Sequence, residues 1–200
     1  MWENYLYSIT KSYMANNYFH YTNTVLKEIE TVLYTADPKE IQAFIKAIKK
    51  ANKIVVAGAG RVGMATRAFA MRLGHLNMRV HTLGDSTVPG IGKGDLLLVS
   101  SGSGETQTIF DIVKTANDNN ANIVLVTGNP DSRMGRLADT IVQLKAPSKT
   151  KKVANFASIQ PMTTLNEQSL FIFFDIVVLL LMDGLNETHD TMWERHSNLE

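Results

Sequence analysis

Between Leu96 and Ile112 the chain reads LLLVSSGSGETQTIFDI. An apolar run passes through a stretch with hardly any side chain and then into a helical pattern. Glycines let the backbone approach a ligand and turn where a Cβ would clash. Unpaired amides at the start of the next helix point to one place, and the helix dipole favours negative charge there. Ser101, Ser103 and Thr106 add hydroxyl donors without bulk, and Gly102 clears space between them. This combination suits capture of an anion rich in acceptor oxygens, above all a phosphate. The competing reading is an ordinary helix cap and tight turn, for which Ser and Thr are the usual residues. So many small donors in one short stretch favour the anion cradle.

A second glycine-rich loop, GAGRVG, covers residues 58–63 and offers Gly60 and Arg61. It follows a short apolar run and matches G-x-G-x-x-G, with Asp85 further along the chain, as a dinucleotide site requires. Its rival is that these glycines only clear room for a ligand held by the other loop. No G-x-x-x-x-G-K-[ST] stretch occurs, which argues against a nucleoside triphosphate. Other polar residues have plain readings. Thr164 and Glu167 form T-x-x-E, a capping box at the start of a helix. Arg61 can pair with a surface acid, and His196 can be an exposed, idle histidine. Glu105 favours a helix N-terminus and is solvated. His75 and His81 read as packing or surface residues, and Lys93 and the basic run 145–152 as a solvated face. No His/Asp/Glu cluster has metal-ligand spacing, so neither metal nor cofactor is expected.

These loops need a scaffold. Residues 53–58, 79–84, 95–101, 122–129 and 139–144 read as short, mostly apolar strands bounded by turn residues. Helical patterns separate most of them, over about 61–73, 106–117 and, briefly, 134–138. Strands alternating with helices imply an α/β fold with a parallel sheet covered on both faces. Five strands fit the flavodoxin-like, doubly wound order 2-1-3-4-5, whose ligands bind beyond the carboxyl ends of strands 1 and 3. Both glycine-rich loops fall there. Helices flank the sheet. Leu6, Ile9, Tyr13, Leu26, Ile29, Val32 and Leu33 recur at helical spacing. Asp37-Pro38 opens a second helix with Ile41, Phe44, Ile45 and Ile48 as its stripe. A long apolar helix runs over about 164–185, and a short last one begins near Glu187. Residues 145–158 read as a polar, mobile loop. One domain is expected over 1–200: N-terminal helices over 1–51, a sheet core over 53–144 and C-terminal helices over 163–196.

Composition limits the function further. The 200 residues carry a net charge of +1, from 20 basic and 19 acidic side chains. This balance argues against nucleic acid or a membrane surface as the main partner. There is no cysteine, which excludes disulfides and thiol catalysis. The N-terminus lacks a secretory pattern. The most apolar run, 170–182, is short for a bilayer and contains Asp175. A cytoplasmic protein is expected. The apolar C-terminal helix and aromatic N-terminal helix suggest a homo-oligomer.

From about Ile54 onward the chain resembles the sugar isomerase (SIS) domain family. The stretches GAGRVG, AFAMRLGHL, GDSTVPGIGKGDLLLVSSGSGET, IQPMTTLNEQSL and RHSNLE are similar to its 6-phospho-3-hexuloisomerase group, small tetrameric enzymes of formaldehyde fixation. The resemblance implies isomerisation of arabino-3-hexulose 6-phosphate to fructose 6-phosphate. The phosphate loop then falls on Ser101, Gly102, Ser103 and Thr106, and the arginine of the first loop on Arg61. The catalytic glutamate falls on Glu167. The terminal histidine falls on His196, which in such tetramers can reach a neighbouring subunit. Relatives usually carry serine where Val62 stands, glycine at Thr163 and an aromatic at Asn166. Gly74 and Asn77 depart as well. Two other readings remain: a non-catalytic sugar-phosphate sensor and a dinucleotide-binding protein, although the second mononucleotide half that the latter needs is missing.

Overall fold

A computed structural model describes residues 2–147 and 157–199, with side chains from residue 14 onward. Most of the loop expected over 145–158 lies outside the described residues, as do the side chains of Leu6, Ile9 and Tyr13. Two helices lead, α1 (Trp2–Leu33) and α2 (Pro38–Lys50). Asp37 caps α2 by accepting a hydrogen bond from the amide of Lys39, and Pro38 opens the first turn. Phe44 and Ile48 of α2 are buried, whereas Leu26 of α1, expected inside, is 58 % exposed.

The remaining elements are β1 (Ile54–Gly58), α3 (Gly60–His75), β2 (Val80–Thr82), β3 (Leu96–Ser100), α4 (Gln107–Asp118), β4 (Asn122–Thr127), β5 (Thr140–Gln143), α5 (Thr164–Leu185) and α6 (His189–Trp193). The strands form one parallel sheet in the order β2-β1-β3-β4-β5. Successive strand side chains point to opposite faces. Ile54, Val56, Leu96, Leu98, Val124 and Val126 therefore face one layer, built from α1, α2, α3 and α5. Val55, Ala57, Leu97, Val99, Ile123 and Leu125 face the other, built mainly from α4. Burial on both faces explains why these strands read as continuous apolar runs.

The short helix expected over 134–138 is absent, and turns stand in its place. The amide of Met134 bonds to Gly104 O, and that of Arg136 to Ser132 O. Met134 is fully buried against the α4 side of the sheet. The segment makes local turns and is tied to the loop after β3, without forming a regular helix.

In α5 the apolar run forms part of a helix of 22 residues. By length and composition that helix could cross a membrane, which corrects the expectation that it is too short. Its inner side is instead a protein core. Phe174 stacks on Phe69 of α3 with ring centroids 4.3 Å apart, Phe173 stacks on Phe44 at 5.9 Å, and Val177 and Leu181 are fully buried.

In the register of β1 with β3, Gly58 pairs with Ser100. Both strands end at the same edge, and their chains then leave to opposite faces. The two glycine-rich loops meet at that divide.

Candidate active site

Close packing sets the first loop. A Cβ on Gly63 would collide with the Gly58 carbonyl, so α3 lies directly on the end of β1. The G-x-G-x-x-G spacing thus has a steric cause. Gly60 takes a left-handed backbone (φ 57°) where the chain enters α3, just before Arg61. Asp85 lies in the turn after β2 and is not among the residues lining the cleft between the loops.

The second loop is folded by its own hydroxyls. Ser101 Oγ accepts from the amide of Gly104 at 3.1 Å, and Ser103 Oγ accepts from that of Glu105 at 3.2 Å. The amide of Ser101 is committed to Val126 O. Among the described residues the amides of Gly102, Ser103 and Thr106 have no acceptor. Thr106 stands at the N-cap of α4 without making a side-chain cap. The cap half of the plain reading therefore fails at Thr106, whose hydroxyl is left for something else, while the Ser101 and Ser103 hydroxyls meet its tight-turn half. Gly104 has φ 64°, and a Cβ there would collide with Ser132 Oγ.

Glu105 is not free in solvent. Arg133 clamps it: the Arg133 amide donates to Oε1 at 2.8 Å and Nε donates to Oε2 at 2.6 Å. The same guanidinium donates to Glu105 O and to Gln107 Oε1, and lies over the Phe110 ring at 4.5 Å. Hydrogen bonds from Arg133 hold the Glu105 carboxyl below the usual carboxylate range. No local pattern in the sequence links residue 105 to 133, so the clamp is legible only once β3 and β4 are paired.

The third wall comes from the N-terminus of α5. Met162 has a left-handed backbone (φ 56°) and is 88 % exposed at the rim. Such backbone strain concentrates at functional sites. Thr163 is the N-cap but makes no backbone cap; its hydroxyl donates to Glu167 Oε1 at 2.7 Å. The capping box expected from Thr164 and Glu167 does not form. Instead Glu167 Oε2 meets Arg61 Nε at 2.6 Å, with the Glu167 side chain 13 % exposed.

These walls enclose a cleft of about 270 Å³. It brings together Gly60, Arg61, Ser101, Gly102, Ser103, Thr106 and Glu167. Val62 also lines it and packs on the core. His196 is not part of the lining. It packs on Trp193 and on the buried His75 of its own chain, with ring centroids 4.8 and 5.4 Å away. Chemically, the cleft sets unpaired amides and hydroxyls for an anion opposite a carboxylate held by a guanidinium and a hydroxyl.

The SIS domain model matches residues 47–172. A 3-hexulose-6-phosphate isomerase of Mycobacterium gastri is 39% identical over 176 residues, 88% of each chain. One from Bacillus subtilis is 33% identical over 180 residues, covering 90% of this chain and 97% of the relative. The crystal structure of a hypothetical protein from Methanococcus jannaschii, from which a function of 3-hexulose-6-phosphate isomerase was inferred, superposes with a TM-score of 0.79. It is 32% identical, over 90% of this chain and 99% of the other. A cleft at the switch point of a five-stranded parallel sheet, and this likeness over nearly the whole chain, lead to one conclusion: the protein belongs to the SIS domain family.

Proposed function

We propose that the protein is a sugar-phosphate isomerase interconverting arabino-3-hexulose 6-phosphate and fructose 6-phosphate, with Glu167 as its acid/base. The observation that carries this reading is the placement of the Glu167 carboxylate across one cleft from the unpaired amides of Gly102, Ser103 and Thr106. The relatives named for this reaction support the choice of substrate.

The phosphoryl group binds the amides and hydroxyls of the second loop, helped by the N-terminus of α4. Binding energy at that remote end holds the reacting carbons in place. Glu167 takes the proton from C2 and an enediolate forms across C2 and C3. The same group returns a proton to C3, the O2 proton passes to O3, and the carbonyl is established at C2. Arg61 fixes the carboxylate and supplies positive charge beside the developing oxyanion. Thr163 holds the second carboxylate oxygen.

An oligomer completes the proposal. Phe171, Ile172, Ile176, Leu179 and Leu180 line the outward side of α5 and are all exposed. Contiguous apolar surface of this kind marks an interface. We assign a homotetramer, in which His196, outside the cleft of its own chain, serves a neighbouring one. The full chain acts as one unit, and we place it in the cytoplasm, in formaldehyde fixation. The test is turnover: purified protein with arabino-3-hexulose 6-phosphate should yield fructose 6-phosphate. Tight binding of the sugar phosphate without turnover would favour a sensor instead.

A further inference from the structure

Asn166 immediately precedes Glu167 on α5 and lines the same cleft. It is 5 % exposed. Its carboxamide lies over Gly102: a Cβ on that glycine would come within 2.9 Å of Oδ1 and 3.5 Å of Nδ2. Among the described residues nothing hydrogen-bonds to either atom. Neither atom is among the fully enclosed unpaired ones, so the carboxamide opens onto the cleft with its donors and acceptor available to a ligand.

The position suggests what the partner is. On one side Asn166 touches the loop assigned to the phosphoryl group. On the other, the next residue is the proposed base. A ligand atom beside Asn166 therefore lies between the phosphate and the reacting carbons. In a hexose 6-phosphate with chemistry at C2 and C3, that leaves C4 and C5. A carboxamide offers two N–H donors and one acceptor, matching a hydroxyl that both accepts and donates.

We propose that Asn166 is a specificity-determining residue that reads the C4 or C5 hydroxyl of the sugar phosphate. The inference rests on the functional reading above. A site built to bond a hydroxyl rejects the analogue lacking it, because its own polar group is then left unpaired.

The experiment compares wild type with Asn166→Leu, using fructose 6-phosphate, its 4-deoxy and 5-deoxy analogues, and inorganic phosphate as competitive inhibitor. In Asn166→Leu, kcat/KM for fructose 6-phosphate should fall roughly 10- to 100-fold. Inhibition by inorganic phosphate should stay within about twofold, since the amides and hydroxyls assigned to the phosphoryl group are unchanged. One deoxy analogue should be a poor ligand for wild type and lose that handicap in the variant. An unchanged kcat/KM overturns the inference, and so does loss of phosphate inhibition in parallel with activity, which would make Asn166 structural. Should Asn166→Leu fail to fold, Asn166→Ala carries the same readouts. A wild type inert toward fructose 6-phosphate overturns the functional reading itself. An active wild type with an indifferent variant overturns only the role of Asn166.

Discussion

Arg61 Nε lies 2.6 Å from Glu167 Oε2, tying the loop after β1 to the first turn of α5. The contact spans more than a hundred residues of sequence and fixes one oxygen of the carboxylate, while Thr163 holds the other. Glu167→Gln keeps the size and much of the hydrogen bonding but removes the base. Turnover should fall by roughly 10²–10⁴-fold. The KM or Kd for the sugar phosphate should move only a few-fold. Steady-state kinetics with a binding titration would show the split; a variant with near-normal kcat would remove Glu167 from the chemistry.

The Thr163 hydroxyl goes to the Glu167 carboxylate instead of the helix backbone. Thr163→Ala frees Oε1, and kcat should fall about tenfold at little cost in KM. Thr163→Ser, which keeps the hydroxyl, should restore most of it. Equal loss in both variants would point to packing instead.

The clamp between Glu105 and Arg133 ties the loop after β3 to the turn after β4. Arg133→Ala should raise KM for the sugar phosphate roughly tenfold while kcat changes less than about twofold. An unaltered KM would show that the loop holds its shape without the clamp.

Acid stability follows from carboxyls held below their ordinary pKa. Arg133 does this for Glu105. At Glu28 burial pushes the pKa up, but hydrogen bonds from Ser158, Gln160 and Ile159 together bring it down. At Asp95 burial likewise pushes up, and Lys53, Gly92 and Arg79 outweigh it. Such groups stabilise the fold fully above their unfolded values, roughly pH 4, and lose that contribution as pH falls through the lower folded values. Stability should hold from neutral pH to about 5 and drop below about 4. Glu105→Gln should flatten that drop in denaturant titrations across pH; an unchanged acid limb would exclude the clamp as a contributor.

Much of the scaffold was legible because its signals are local. Asp37-Pro38 marks a helix start, and the buried strands announce themselves as apolar runs. Loops after adjacent strands must meet, so the grouping of Arg61 with Ser101, Ser103 and Thr106 follows from strand order. Other features depend on distant partners. The turns over 134–138 replace a helix because the Met134 amide bonds to Gly104 O and Ser132 packs against Gly104, which no local propensity reveals. Thr163 and Glu167 look like neighbours of a capping box, yet the cleft turns the carboxylate to Arg61. Glu105 seems solvated until β4 carries Arg133 beside it. The family likeness singled out Glu167, whose local pattern suggested only a cap.

The central claim is that one carboxylate shuttles a proton between C2 and C3 of a sugar held by its phosphate. The most direct measurement incubates the protein with arabino-3-hexulose 6-phosphate in D₂O and follows the product by NMR. The expected product is fructose 6-phosphate carrying at C3 hydrogen returned from C2 together with deuterium exchanged from solvent, formed by wild type and not by Glu167→Gln. Absence of fructose 6-phosphate at stoichiometric protein, or equal formation by Glu167→Gln, would contradict the account.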